Sequence, residues 1–189
     1  MSARPRTAIV TGAAGGLGRA LAVRLARNGW RLVLADVDDE GNRATAEAVA
    51  DVGGDAECVH LDVADAGAWQ ALHDRLRADR PHLDLLVNNA GIAAAGNVGE
   101  MPLDRWRRVL DVNLSGGIHG CHTFVPWLKE NPAGAHVVNV ASFAAFASFP
   151  EMAAYNVTKA GVVALSETMR AELAAERVGV TVVCPGFFA

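Results

Sequence analysis

The sequence predicts an α/β protein in which helices cover both faces of a parallel sheet. Six short apolar runs, rich in β-branched residues, alternate with longer segments of helical periodicity. The runs lack a clean polar alternation and end in small or polar residues, which is typical of strands buried on both faces. Right-handed crossovers and doubly wound topology place the first strand mid-sheet, in the order 3-2-1-4-5-6, with ligands at the carboxyl ends of the strands.

The predicted elements follow one another along the whole chain. The strands lie within residues 7–12, 31–36, 57–63, 83–91, 136–142 and 179–186. The helices cover residues 18–28, about 39–52, a segment from 65, 102–129 and about 152–176, and Gly116 and Gly117 could interrupt the fourth of them. No linker or internal repeat divides the sequence, so we expect one domain over residues 1–189.

Composition and charge exclude several classes of function. The formal net charge is −4 and the arginines are dispersed, so the sequence has no basic patch for nucleic acid. It also has no apolar run long enough to cross a membrane and no signal peptide. Cys58, Cys121 and Cys184 lie far apart in apolar runs, which favours buried, reduced thiols in a cytoplasmic protein.

A glycine-rich segment joins the first strand to the first helix. Its spacing is Gly12-x-x-x-Gly16-x-Gly18, and Leu21 stands where a Gly-x-Gly-x-x-Gly fingerprint would end. Glycines allow a tight turn and bring backbone N–H groups close to a pyrophosphate at the positive end of a helix. The segment therefore predicts dinucleotide binding, with a purely structural turn as the alternative.

Asp36 ends the second predicted strand, eighteen residues after Gly18. A carboxylate there can accept hydrogen bonds from both hydroxyls of an adenosine ribose and would repel a 2′-phosphate. Gly15 brings no basic side chain to that phosphate. Together they favour NAD over NADP, and the alternative is a solvated aspartate in the acidic run 36–40.

Polar residues also close the third and fourth predicted strands. Asp62 could accept a hydrogen bond from an adenine amino group. Residues 88–91 read Asn-Asn-Ala-Gly, whose amides can bridge strand ends while Ala90 and Gly91 let the backbone lie close to a cofactor. Ordinary turn chemistry also explains such a sequence. The shared position at the carboxyl edge of the sheet is what favours a binding site.

The only tyrosine, Tyr155, precedes one of the two lysines, Lys159, by four residues. On a helix this spacing puts both side chains on one face. A free phenol has a pKa of about 10, whereas a general base at neutral pH works best near about 7. A neighbouring ammonium, a compact point charge, favours the phenolate. The alternative is an ordinary Tyr/Lys pair on a helix surface.

Two further polar residues point to the same chemistry. Ser142 closes the fifth predicted strand thirteen residues before Tyr155, so it can donate to a substrate oxygen over the same crevice. Asn113 lies in a helical stretch and could hold a water molecule that links Lys159 to solvent; a helix irregularity before Gly116 is an equal alternative. The six histidines lack the spacing of metal ligands, so no metal is expected.

These residues together resemble the short-chain dehydrogenase/reductase family over essentially the whole chain. The match consists of the Thr-Gly-x-x-x-Gly-x-Gly loop, the Asn-Asn-Ala-Gly motif and the Asn-Ser-Tyr-Lys tetrad at Asn113, Ser142, Tyr155 and Lys159. It implies a Rossmann-type fold. It also implies cofactor contacts from Gly12, Gly15, Gly16, Leu17, Gly18, Asp36, Asp62, Val63, Asn89, Ala90, Gly91, Tyr155, Lys159, Pro185 and Gly186.

The resemblance further implies roles and an activity. The tyrosine is the general acid/base, the lysine binds the nicotinamide ribose, the serine orients the substrate oxygen, and the asparagine supports a water relay. The implied reaction is hydride transfer between NAD and a secondary alcohol or ketone. Family members form homodimers or homotetramers through long helices, which here hold Trp127 and Leu165.

Substrate and completeness are separate expectations. The apolar segment 143–153 predicts a hydrophobic or neutral alcohol rather than a polyanionic sugar, unless its phenylalanines only pack the loop. A non-catalytic NAD-binding regulatory protein and a lyase or epimerase are the alternative functions. The sequence stops at Phe187, Phe188 and Ala189, where the family continues with a substrate-covering segment and a seventh strand. We therefore expect those parts to be lacking.

Overall fold

The computed structural model, which describes residues 5–186, contains one parallel sheet of six strands in the order β3-β2-β1-β4-β5-β6. The strands are β1 (Thr7–Thr11), β2 (Arg31–Asp36), β3 (Asp55–His60), β4 (Leu85–Asn88), β5 (Ala135–Val140) and β6 (Val178–Val183). The helices are α1 (Gly16–Arg27), α2 (Asp39–Ala50), α3 (Ala66–Asp79), α4 (Leu103–Leu110), α5 (Gly116–Lys129) and α6 (Ala153–Glu172). The predicted doubly wound fold is confirmed.

The two faces of the sheet bury side chains of different size. One face packs strand residues such as Ile9 against aromatic side chains of α3 and α5, among them Trp69 and Trp127. The other packs strand residues such as Val10 against small side chains of α1, including Ala22. Because successive strand residues point to opposite faces, β1 contributes to both cores. The alanines let α1 lie close to the sheet, so its amino terminus stands beside the strand ends.

Burial differs between the central and the edge strands. All residues of β1 and β4 are buried, as predicted. The expectation of two covered faces is wrong for the two edge strands. No residue of β3 is fully buried, and Asp55, Cys58 and His60 are exposed; β6 likewise exposes Thr181 and Val183. As an edge strand, β3 is less covered by the flanking helices than the sheet centre. Cys58 is therefore an exposed thiol rather than a buried one, while Cys121 is buried and Cys184 is half-buried.

Several predicted boundaries move in the structure. The long fourth helix is interrupted by a π-helical segment, Asp111–Ser115, which ends just before Gly116. The last helix ends at Glu172 rather than near 176. Asp62 and Ser142 lie two residues beyond the ends of β3 and β5. No helix within residues 5–186 has the length and apolar character needed to cross a membrane. Phe187 and Phe188 lie outside the described residues.

Candidate functional site

The turn between β1 and α1 leaves no room for side chains. A β-carbon on Gly12 would lie 2.8 Å from the Cα of Ala90, and one on Gly18 would overlap the carbonyl oxygen of Gly12. Gly12 also has a φ of 63°, which glycine adopts without strain. Within the described chain, no side chain caps the first turn of α1, since the cap residue is Gly15. The turn therefore presents backbone N–H groups to the solvent side.

A cavity of about 390 Å³, the strand-end cavity, opens at the carboxyl ends of β1, β2 and β3. Asp36 lies on its wall, where Oδ2 accepts from the N–H of Ala14 at 2.9 Å and Oδ1 from that of Asp38 at 3.0 Å. A carboxylate has about four acceptor sites, so the anchored group can still accept from a ligand. Nine predicted cofactor residues line this cavity: Gly12, Gly15, Leu17, Asp36, Asp62, Val63, Asn89, Ala90 and Gly91.

Asp62 is held at the same cavity by two contacts. Its Oδ1 accepts from the N–H of Ala64 at 3.0 Å, and its Oδ2 pairs with Nη1 of Arg108 at 3.2 Å. The Ala64 hydrogen bond, followed by the Arg108 contact, holds the pKa of Asp62 below its usual value. Asp62 therefore remains an ionised acceptor at neutral pH.

The asparagines at the end of β4 tie neighbouring strands together. Nδ2 of Asn89 donates to the carbonyl oxygens of Thr11 and Gly12, at 2.8 and 3.1 Å. Nδ2 of Asn88 donates to Oδ1 of Asn139 on β5 at 2.9 Å. These bonds confirm the predicted bridging of strand ends. They fix the edge of the sheet at which the strand-end cavity opens.

A second cavity, the Tyr155 cavity, has a volume of about 270 Å³ and adjoins the first. Ser142, Tyr155 and Lys159 all line it, together with Pro185 and Gly186. Four residues line both cavities, so the two form one continuous cleft: Leu17, Asn89, Gly91 and Ile92. Three members of the predicted tetrad thus face one space.

Lys159 is a buried cation whose side chain is anchored. The residue is 4% exposed, and its Nζ donates to the carbonyl oxygen of Val140 at 2.8 Å. Nζ lies 5.6 Å from the centre of the Tyr155 ring. Burial lowers the pKa of Lys159 to about 8, an effect that the nearby Cys184 thiol partly offsets. The ammonium form still predominates at pH 7.

Ser142 stands at the start of a 3₁₀ turn, Phe143–Ala145. Its Oγ accepts from the N–H of Ala144 at 3.2 Å, which leaves the hydroxyl hydrogen available to a ligand. The N–H of Phe143 donates to the carbonyl oxygen of Pro185 at 2.8 Å. This bond joins the loops that carry Ser142 and Gly186.

Asn113 lies in the π-helical segment and does not line the Tyr155 cavity. Its Oδ1 accepts from the N–H of Ile92 at 2.7 Å, and its Nδ2 donates to the Ile92 carbonyl at 2.8 Å and to Oγ1 of Thr158 at 3.3 Å. Both polar atoms of the side chain are thus bound to protein. The helix irregularity that the sequence left open is present, and the water role of Asn113 stays a prediction.

An apolar cavity of about 230 Å³, the phenylalanine cavity, continues from Ser142 and Tyr155. Its further wall includes Phe143, Phe149 and Met152 and contains no charged residue among those described. The loop that follows β4 closes on this region, since the N–H of Gly96 donates to the carbonyl oxygen of Glu151 at 2.7 Å. Within residues 5–186, no three His, Cys, Asp or Glu side chains cluster closely enough to hold a metal ion.

Residues 6–189 match the family model described as short chain dehydrogenase. The chain belongs to the short-chain dehydrogenase family. Among similar members, the Mycobacterium tuberculosis protein named "Probable oxidoreductase EphD" is 43% identical over 177 residues, covering 94% of this chain and 30% of that protein. The 1-deoxy-11-beta-hydroxypentalenate dehydrogenase of Streptomyces avermitilis is 37% identical, over 98% of this chain and 70% of its own length.

Further short-chain dehydrogenases match along nearly the whole sequence. The trans-4-hydroxycyclohexanecarboxylate dehydrogenase of Sinomonas cyclohexanicum is 36% identical over 96% of this chain and 71% of its own. A Burkholderia phymatum family member solved with NAD superposes with a TM-score of 0.93 at 37% identity, covering 97% of this chain and 66% of that one. A Beutenbergia cavernae protein with NADP at low occupancy gives 0.89 at 38% identity, over 96% and 72%. This chain thus spans under a third of EphD and 66% of the Burkholderia chain.

Three contact residues of this family member escaped the sequence-based prediction. Arg108 pairs with Asp62, and Thr158 bonds Asn113. Arg19 donates to Oγ1 of Thr45 and to the carbonyl oxygen of Ala14, at 2.9 and 2.6 Å. Each of these bonds joins residues that are distant in sequence or lie on opposite sides of a turn. No local sequence pattern therefore identifies the three residues. Of the predicted cofactor residues, Gly16 and Gly18 shape the turn without lining either part of the cleft.

Proposed function

We propose that this chain binds NAD and interconverts a secondary alcohol and a ketone. The observation that carries the proposal is the single cavity in which Ser142, Tyr155 and Lys159 meet beside Pro185 and Gly186. Its continuity with the strand-end cavity supports it, because a dinucleotide needs an extended cleft at the strand ends. Glycines whose β-carbons would collide and an uncapped helix terminus suit a pyrophosphate. Family membership, with one neighbour solved with NAD and another with NADP, supports a nicotinamide dinucleotide.

In the proposed oxidation, Tyr155 moves the proton. Its phenolate takes the hydroxyl proton of the alcohol, while Ser142 donates a hydrogen bond to the same oxygen. The bound nicotinamide supplies the acceptor for the hydride that leaves the substrate carbon. The buried ammonium of Lys159 lies 5.6 Å from the centre of the Tyr155 ring and, on the wall of the same cavity, can donate to a ribose hydroxyl. The products are the ketone, the reduced cofactor and one proton.

NAD rather than NADP is proposed because Asp36 puts a negative charge on the wall of the strand-end cavity, and the one cation that lines this cavity within residues 5–186, Arg108, is paired with Asp62. The neighbouring Arg19 already donates to Thr45 and Ala14. An Asp36→Asn variant should lower the ratio of NADP to NAD dissociation constants by about tenfold, since it removes one unit of repulsion. Tryptophan fluorescence titrations with both dinucleotides measure the ratio. A wild-type protein that binds NADP more tightly contradicts this choice.

The central test of the reaction is Tyr155→Phe, which removes the hydroxyl and keeps the ring. We expect kcat for secondary alcohols to fall by about 10² to 10⁴, the usual share of positioned acid–base catalysis. The NAD dissociation constant and the unfolding temperature should stay close to the wild-type values. Steady-state NADH absorbance measures kcat, calorimetric titration measures the dissociation constant, and thermal unfolding measures the unfolding temperature. Retained turnover overturns the role of Tyr155.

The proposed substrate class is an uncharged alicyclic or aromatic secondary alcohol. The wall of the phenylalanine cavity, which has no charged residue among those described, supports an uncharged substrate. Two of the relatives above are named for alicyclic hydroxy acids, which supports the ring but not the absence of charge, whereas the Beutenbergia cavernae protein is titled a putative gluconate 5-dehydrogenase. Cyclohexanol should therefore give a higher kcat/KM than gluconate. Phe149→Ala should raise KM for cyclohexanol several-fold, because Phe149 lines the cavity. Phe146→Ala is the matched control, since Phe146 is 66% exposed and lies outside the cavity wall. Equal effects would mean that these rings only pack the loop.

Assembly and alternative functions are settled by separate measurements. We propose a homodimer or homotetramer formed through α5 and α6, where Ile118 and Val157 are exposed; Trp127, by contrast, is buried. Light scattering coupled to gel filtration tests it.

We also propose a cytoplasmic location, supported by three free thiols. NAD binding without turnover of any alcohol would favour a regulatory protein, and product without net NADH a lyase or epimerase.

A further inference from the structure

Arg108 lies on α4 and reaches across the strand-end cavity to the loop after β3. Its Nη1 lies 3.2 Å from Oδ2 of Asp62, forty-six residues away in sequence, and both residues line the cavity. The other carboxylate oxygen is fixed by the N–H of Ala64. Two partners from different elements therefore hold the Asp62 carboxylate in one orientation, which a single partner would leave free to rotate.

The ion pair also balances charge where an anionic ligand must approach. Asp36 and Asp62 both line the cavity, and a dinucleotide brings two further negative charges on its pyrophosphate. Arg108 neutralises Asp62 and uses one of its acceptor sites, so other acceptor sites of the carboxylate remain available. A guanidinium is the suitable partner, because it stays charged at any physiological pH.

We propose that Arg108 is a positioning residue that makes the strand-end cavity select a dinucleotide whose purine carries a 6-amino group. The inference rests on the proposed function, since it assumes that a dinucleotide occupies this cavity. An ionised, fixed Asp62 can only accept hydrogen bonds, which suits an amino group. A purine with a carbonyl group at the same carbon places its oxygen against the Asp62 carboxylate. Both groups are hydrogen-bond acceptors, so the binding of that purine is weakened. Arg108 thus acts through Asp62 rather than by touching the reacting atoms.

The experiment compares NAD with nicotinamide hypoxanthine dinucleotide, which differs at that one group. The wild-type protein should bind NAD at least about tenfold more tightly, the range of a hydrogen bond to a charged group. Arg108→Met should reduce this ratio about threefold to fivefold, as expected for loss of a half-exposed ion pair. Arg108→Lys should restore most of the ratio. The double variant Asp62→Asn, Arg108→Met should have the same ratio as Asp62→Asn alone, because Arg108 acts through Asp62.

Arg105→Met is the matched control. Arg105 is an exposed arginine on the same helix that does not line the cavity, so the variant makes the same change in charge and length. If Arg108→Met alters the selectivity ratio no more than Arg105→Met, then Arg108 only ties α4 to the loop after β3. That result overturns the inference and leaves the proposed function standing. A wild-type protein that binds neither dinucleotide overturns both.

Discussion

The two parts of the cleft are built in opposite ways. The glycine turn beside the strand-end cavity has no room for a β-carbon at Gly12 or Gly18, and the carboxylates of that cavity accept from backbone N–H groups. The Tyr155 cavity presents functional side chains, one of which, Lys159, is a buried cation. Binding at the strand-end cavity depends on glycines that carry no side chain. Chemistry at the Tyr155 cavity depends on the side-chain groups of Ser142, Tyr155 and Lys159. Adding a side chain at the glycine turn should therefore impair folding or binding, and removing a functional group from the Tyr155 cavity should impair turnover.

Lys159→Met tests the second half of this contrast and has the largest expected effect. The variant keeps an unbranched apolar stem of similar length and removes only the ammonium. We expect kcat to fall by about 100-fold or more, near the lower end of what acid–base assistance contributes. Steady-state kinetics with cyclohexanol and NAD measure the loss. A fall below about threefold would mean that the ammonium has no part in the reaction.

The same variant has a distinct signature in stability. Because the pKa of Lys159 is about 8 in the folded protein and higher when exposed, the unfolded state holds more protons between those values. As pH rises above about 8, the unfolding free energy of the wild type should therefore increase relative to that of Lys159→Met. The difference between the two should grow by at most about 1.4 kcal/mol per pH unit, the limit for one proton. Urea unfolding of both proteins at several pH values measures the difference. Parallel curves contradict the burial argument.

Gly18→Ala tests the first half of the contrast. A β-carbon there would overlap the carbonyl oxygen of Gly12, and backbone cannot move aside as the end of a flexible side chain can. We expect a loss of about 3 kcal/mol in unfolding free energy, at the upper end of ordinary overpacking. Gly117→Ala is the control, because its β-carbon would meet no atom within 4 Å. Chemical denaturation compares the two variants, and equal stabilities would show that the turn can relax.

Sequence patterns were sufficient for the strand order, the glycine turn and the meeting of Ser142, Tyr155 and Lys159. The strand order follows from the alternation of strand and helix patterns, and the turn from the spacing of its glycines. The meeting of the three side chains follows from the i, i+4 spacing on a helix and from the rule that parallel strands end at one edge. Contacts between distant segments were not predictable. Asn113 bonds Thr158, forty-five residues away, and Arg108 meets Asp62 across forty-six. Such pairs depend on helix orientation and rotamer, which residue spacing does not encode.

Thr158→Val sharpens the account of the Tyr155 cavity with a smaller expected effect. The buried Thr158 hydroxyl donates to the carbonyl oxygen of Tyr155 at 2.8 Å and accepts from Nδ2 of Asn113. Valine keeps the shape and removes both bonds, so kcat should fall about fivefold, the worth of about one hydrogen bond. KM for NAD should change little, because Thr158 does not line the strand-end cavity. Thr158→Ser keeps the hydroxyl and should recover the rate; if it does not, the bonds are not the cause.

Gly15→Ala separates folding from binding at the same turn and has the smallest expected effect. A β-carbon on Gly15 would meet nothing within 4 Å, and its φ of −164° is open to any residue. The unfolding free energy should therefore stay within about 0.5 kcal/mol of the wild type, as for an ordinary surface change. Because Gly15 lines the strand-end cavity, the methyl group should stand where the dinucleotide approaches and raise the NAD dissociation constant about threefold. Nicotinamide mononucleotide, which lacks the adenosine half, should bind unchanged. If both ligands weaken equally, the methyl acts by distorting the turn, and the contrast between Gly15 and Gly18 fails.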